Sequence, residues 1–260
     1  MQFHIDDTTK AVRCSDDISK HAKQHAIREF PRESVGCVVG DDYVPLVNSS
    51  PQPTKSFVVR AADCPDDMQA LIHSHPNMLP APSAADMRQQ QAMQIPWGIL
   101  SVDEQTQQAS EVEWFGDQTP IPPLIGRTFL SGVRDCWCLV RDWYRINCPS
   151  IGESMPQLPR DHDWFRQGSD LLNRDNVRNA GFLFLSSRDD LRAGDIVMGK
   201  IASRVVNHCG ILLPEGVVLT HSEGRLSHRE VVREWLRTAD YVIRHKEFVN
   251  EKTTSARTPG

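Results

Sequence analysis

The spacing of apolar and polar positions changes along this chain, and each change marks an element. Over 18–30 the apolar residues return every three or four positions, from Ile18 through Ala22 and Ala26 to Phe30, which predicts a helix with one buried face. Short runs rich in β-branched and apolar residues follow at 34–39, 43–47, 56–60 and 70–75 and predict strands. Residues 84–93 read as a helix with Ser83 as its N-cap, which sets Asp86 in the first turn. Two further strand-like runs cover 97–101 and 111–115. Pro120, Pro122 and Pro123 then crowd into 119–123 and favour a stiff extended linker. Beyond it, Asp135 is placed to cap a helix carrying Leu139, Val140, Trp143 and Tyr144. Residues 207–213 read as a strand, and 217–221 as its hairpin partner across Pro214-Glu215-Gly216. The expected fold class is therefore α+β in two domains, 1–117 and 124–248, joined by 118–123 and followed by a polar tail, 249–260.

Composition narrows the class. The 260 residues are 39% hydrophobic, enough for two modest cores. No run approaches the roughly twenty apolar residues of a membrane-spanning helix. The first ten residues are polar and acidic, unlike a secretory signal, so folding in a cytosol is expected. Seven cysteines, an odd and irregularly spaced set, argue against a disulfide framework. Residues 1–117 hold nine Lys and Arg against seventeen Asp and Glu, a net of −8; residues 118–260 hold twenty against seventeen, a net of +3. That shift fits two domains. The basic residues alternate with acids, so no nucleic-acid partner is expected.

Two stretches carry chemistry. In His73-Ser74-His75-Pro76 the alternation of a strand sends both imidazoles to one side, and Asp86 follows after ten intervening residues. Two imidazoles and a carboxylate suit a zinc ion with one coordination position left open. The pattern His-x-His-Pro, then Ser-x-x-Asp, resembles the zinc motif of the JAMM/MPN metallopeptidase family. That resemblance implies a zinc ion on His73, His75 and Asp86, Glu33 as the general acid/base, and Ser83 as a donor to the oxyanion.

The second stretch is Asp135-Cys136-Trp137-Cys138-Leu139-Val140. A cysteine at the first position of a helix sits in the positive end of the helix dipole, which favours its thiolate. Far downstream, His208 opens the strand His208-Cys209-Gly210-Ile211, and His221 ends the hairpin partner, where the two rings are expected to approach each other. Gly194-Asp195-Ile196-Val197 precedes the His-x-Gly-Ile block. Together these resemble the NlpC family of papain-like cysteine peptidases. The resemblance implies Cys136 as nucleophile, His208 as base and His221 as the third polar residue. Two departures stand out: Trp137-Cys138 replaces the family's Ser-Gly, and Phe129 stands where an upstream tyrosine is usual. An insertion, 147–184, separates the helix from the Gly-Asp block.

A JAMM-like half followed by an NlpC-like half resembles the tail tip assembly family of long-tailed bacteriophages. That implies a bifunctional hydrolase made in the host bacterial cytoplasm, with the virion tail tip as a second location. Its implied partners are other phage tail tip proteins, and its implied substrate is the peptides of bacterial peptidoglycan. A structural assembly factor with one or both sites vestigial remains the alternative.

Overall fold

The computed structural model describes residues 16–248. The polar N-terminal decapeptide, Cys14 and the tail expected at 249–260 lie outside the described residues. The chain divides into two compact units, and the division falls between Ile121 and Pro122. The mixture of helix and largely antiparallel sheet is α+β, as expected. Among the described residues no helix is long and apolar enough to cross a membrane.

The first unit contains α1 (Asp16–Glu29), β1 (Val35–Val39), β2 (Asp42–Leu46), β3 (Ala70–Pro76), α2 (Ala84–Met93), β4 (Trp97–Asp103), β5 (Gln108–Ala109) and β6 (Glu113–Phe115). Its sheet runs β2-β1-β3-β4-β5, with β6 also paired to β4. Only the β3–β4 pair is parallel. A parallel pair needs a crossover, and α2 supplies it. Ile18, Ala22 and Ala26 of α1 pack on Val38, Ala70, Ile72, Leu100 and Val102. Side chains alternate along β3, so burying Ala70 and Ile72 under α1 sends Leu71, His73 and His75 to the other face.

The strand expected at 56–60 does not form. The Asn48 side chain takes over its backbone: Oδ1 accepts from Ser50 N–H at 2.9 Å and from Val58 N–H at 3.2 Å, and Nδ2 donates to Ser56 O at 3.1 Å. Local side-chain bonds of this kind compete with a strand ladder. The result is a loop that brings Phe57 onto His73, ring centroids 4.8 Å apart.

The second unit contains α3 (Cys136–Asn147), α4 (Pro149–Ser154), α5 (Arg174–Asn179), β7 (Phe182–Phe184), β8 (Ile196–Gly199), β9 (His208–Leu213), β10 (Val217–Thr220), β11 (His228–Val231), α6 (Val232–Thr238) and β12 (Tyr241–His245). Its antiparallel sheet runs β11-β10-β9-β8-β12-β7. Leu139, Val140, Trp143 and Tyr144 of α3 are almost wholly buried. A fully buried Leu or Val contributes about 1.5–3 kcal/mol, so this face anchors the helix that begins at Cys136. α6 covers Val197, Leu212, Val218 and Val242 through Trp235 and Leu236. The insertion is ordered: α4 and α5 lie within it, and β7 at its end forms an outer strand of the sheet.

Candidate functional sites

In the first unit, β1–β3 register places Val35 opposite His73. Two residues further along the same ladder, Glu33 falls opposite His75 and on the same face. Ser74 N–H donates to Ser34 O at 3.0 Å, and Ser74 Oγ accepts from Ser34 N–H at 2.8 Å and Ser34 Oγ–H at 3.0 Å, fixing that alignment. Glu33 N–H donates to Pro53 O, and Glu33 O accepts from Asn48 Nδ2, so its backbone is held on both sides.

Asp86 arrives from α2. Ser83 Oγ accepts from Asp86 N–H at 3.1 Å, while Asp86 Oδ2 accepts from Ser83 N–H at 2.8 Å and Ser83 Oγ–H at 2.7 Å. This reciprocal capping box satisfies the first-turn donors and fixes the Asp86 rotamer. The oxyanion contact expected of Ser83 needs the hydroxyl proton, and here that proton goes to Asp86.

His73 Nε2 and His75 Nε2 lie 3.1 Å apart, and the Asp86 oxygens lie 3.5 and 3.6 Å from them. A tetrahedral zinc with bonds of about 2.0–2.1 Å sets its donor atoms about 3.3–3.5 Å apart, so these three donors fit one ion. Among the described residues this is the only such His/Cys/Asp/Glu group.

Electrostatics agree with a crowded polar pocket. Burial pushes the Glu33 carboxyl up to about 7; nearby His75 opposes this and Asp86 reinforces it. Burial pulls the fully enclosed His73 down. Burial also acts to lower His75, but Asp86 and Glu33 outweigh it and raise its value. For Asp86 burial acts upward, yet His73, His75 and Ser83 hold the carboxyl well below the usual range.

In the second unit, Asp135 caps α3 by accepting from Cys138 N–H at 3.1 Å. Cys136 opens the helix and is buried. Its Sγ lies 3.9 Å from Asn207 O, at the start of β9. A hydrogen bond from the Cys209 thiol holds the Cys136 thiol well below the ordinary range; burial opposes this, and the His208 ring adds to the lowering. Cys209 is pushed well above its usual value by the same bond and keeps its proton.

The hairpin corrects one expectation. β9–β10 pairing sets Thr220 opposite Gly210. Thr220 and Ser222 therefore share the face of His208, and His221 lies on the other face. His208 Nε2 meets Thr220 Oγ1 at 3.1 Å and Ser222 Oγ at 3.4 Å. His221 instead stacks edge-on against Phe129, centroids 5.3 Å apart, and burial with the Arg127 charge lowers it to about 4. Its ring nitrogens make no hydrogen bond to His208; Thr220 Oγ1 meets that ring instead. Gly210 explains the tight fit on this face: an added Cβ would lie 2.4 Å from Val218 Cγ1 and 3.1 Å from Trp235, the residue that stacks on His208.

Thr220, Ser222 and Cys209 were not singled out by the sequence reading. The signal was the alternation of the hairpin, which assigns faces only once the register is known. The cleft beside Cys136 is lined by Phe129, Trp137 and, from the insertion, Trp164 and Phe165, with His162 Nε2 3.3 Å from the Glu223 carboxylate at its rim.

The two sites identify a class of protein: a JAB-type domain followed by an NlpC/P60 domain. Residues 15–115 match the family described as prokaryotic homologs of the JAB domain, and residues 114–244 match the NlpC/P60 family. The chain is 33% identical over 188 residues to the tail tip assembly protein K of Escherichia phage lambda, spanning 72% of this chain and 86% of that relative. It is 31% identical over 220 residues to the tail tip assembly protein K of Escherichia phage N15, spanning 79% and 84%. The chain belongs to the family of these tail tip assembly proteins.

Proposed function

We propose that this protein takes part in phage tail tip assembly and is a hydrolase at two sites, a cysteine peptidase and a zinc metallopeptidase. The domain assignment is 1–117 and 124–248, with 118–123 as linker. The observation that carries the cysteine reading is Cys136 at the first turn of a capped helix, its thiol lowered beside His208. The Cys136 thiolate attacks a peptide carbonyl carbon, the C–N bond breaks, and His208 gives a proton to the leaving amine. His208 then takes a proton from water as the water attacks the thioester, and the Cys136 thiol is released. Thr220 holds the ring through Nε2, leaving Nδ1 for the sulfur. The substrate proposed is the stem peptide of bacterial peptidoglycan.

His73, His75 and Asp86 would hold one zinc ion in the first unit. When bound, the ion supplies Lewis acidity, polarising a carbonyl and lowering the pKa of a water towards neutrality. Glu33, titrating near 7, is able to take and return a proton at neutral pH. Ser83 holds Asp86 in place. A tail protein is the substrate proposed for this site. The protein would act in the host bacterial cytoplasm during assembly, beside other tail proteins, and travel in the virion tail tip.

The deciding experiment incubates the protein and its Cys136→Ala variant with peptidoglycan sacculi under reducing conditions at neutral pH. Released peptides, separated by chromatography, are expected with the native chain and absent with the variant. No release by the native chain overturns the cysteine reading.

A further inference from the structure

The insertion delivers one buried cation to the start of the nucleophile's helix. Arg160 and Asp135 are 5% and 6% exposed, and they form a two-pronged pair. Arg160 Nε donates to Asp135 Oδ2 at 3.0 Å, and Nη2 donates to Oδ1 at 2.7 Å and Oδ2 at 2.6 Å. The same Nη2 lies 3.2 Å from Cys138 Sγ, while Nη1 donates to Gln157 O at 3.1 Å and Leu158 O at 2.6 Å. Leu158 holds a φ of 46°, a left-handed conformation that costs a branched residue on the order of 1 kcal/mol. The strained turn is therefore clamped by the same guanidinium that clamps Asp135.

Asp135 also does three jobs of its own. Its Oδ1 caps Cys138 N–H, its Oδ2 accepts from Gly132 N–H at 2.8 Å, and its backbone precedes Cys136 directly. An unpaired carboxylate at this depth would oppose a thiolate one residue away. Nothing else among the described residues is hydrogen-bonded to it with a full positive charge.

We propose that Arg160 is a positioning residue of the Cys136 site: the insertion carries it in to lock the Asp135 carboxylate at the start of α3 and to offset that carboxylate's charge beside the thiol. This rests on reading Cys136 as the nucleophile. It gives the insertion a definite task, because the family-like helix and strand do not by themselves supply a cation for Asp135.

The test reads thiolate formation without any substrate. Cys136 is alkylated with iodoacetamide across a pH series, and its peptide is quantified by mass spectrometry, in the native chain, Arg160→Met and Arg160→Lys. Arg160→Met is expected to raise the alkylation midpoint by about one pH unit, which lowers the rate about tenfold at pH values below the native midpoint. Arg160→Lys keeps the charge but loses the fork, so its midpoint should move less. A folded Arg160→Met with the native midpoint overturns the proposal. If the stranded carboxylate stops Arg160→Met from folding, the Arg160→Met/Asp135→Asn double variant is alkylated alongside Asp135→Asn. With the carboxylate neutral, the two midpoints should then agree. A large difference between them means that Arg160 acts other than through Asp135 and overturns the proposal. Failure to release peptides from sacculi leaves this readout intact, so the two ideas fail separately.

Discussion

Thr220 Oγ1 lies 3.1 Å from His208 Nε2, on the face of the β9–β10 ladder that His221 does not share. An orienting hydrogen bond is worth about 0.5–1.5 kcal/mol, and 1.4 kcal/mol is tenfold in rate. Thr220→Val keeps the shape and removes the hydroxyl, so peptide release from sacculi should fall roughly tenfold. His221→Gln should leave the rate within about twofold. The reverse ranking, measured as initial rates on equal amounts of folded protein, would restore His221 as the orienting group.

Zinc content checks the other unit. Purified protein should carry about one zinc per chain, and His73→Ala/His75→Ala should carry none, as read by elemental analysis. Removing the metal with a chelator should also lower the melting temperature, because an ion bound only by the folded chain stabilises it by mass action.

Two buried groups should bend the stability curve in opposite directions. Glu33 in the metal-free protein titrates near 7, above its unfolded value of 4.5. Between those values the native chain keeps a proton that the unfolded chain has lost, so the contribution of Glu33 to stability falls as pH rises from about 4.5 to 7. Glu33→Gln should remove that fall, and added zinc should shrink it. His221 titrates near 4, below its unfolded 6.5. There the unfolded chain binds the extra proton, so the contribution of His221 to stability falls as pH drops from about 6.5 to 4. His221→Gln should flatten that limb. Melting temperatures at stepped pH for the three proteins read both slopes.

The aromatic wall gives a binding prediction. Phe165 lines the cleft beside Cys136 and is only partly buried, so Phe165→Ala tests contact with substrate at small cost to the fold. Losing about 1 kcal/mol of apolar contact should raise KM several-fold on a soluble stem peptide with kcat unchanged. Equal loss in kcat would point to a role in the reaction step instead.

Much of the His73, His75 and Asp86 cluster was legible in the chain. A His-x-His on a strand and an Asp in the first turn of a capped helix are local patterns, set by a period of two and by a four-residue capping box. The Cys136 helix was equally local, because Asp135 caps it and its apolar face is continuous. The loop at 56–60 was misread because its β-branched residues matched a strand, while Asn48, eight or more residues away, supplied the bonds that a ladder would have made.

What the sequence by itself determined was therefore the local chemistry: the two histidines and Asp86, the cysteine at a helix start, and the α+β class. What only the tertiary structure decided was which side chains face each other across strands and insertions. Side chains alternate every residue, so a shift of one position moves a residue to the opposite face. The fold thus chose Thr220 over His221, and pairing at a separation of 25 residues brought Arg160 to Asp135.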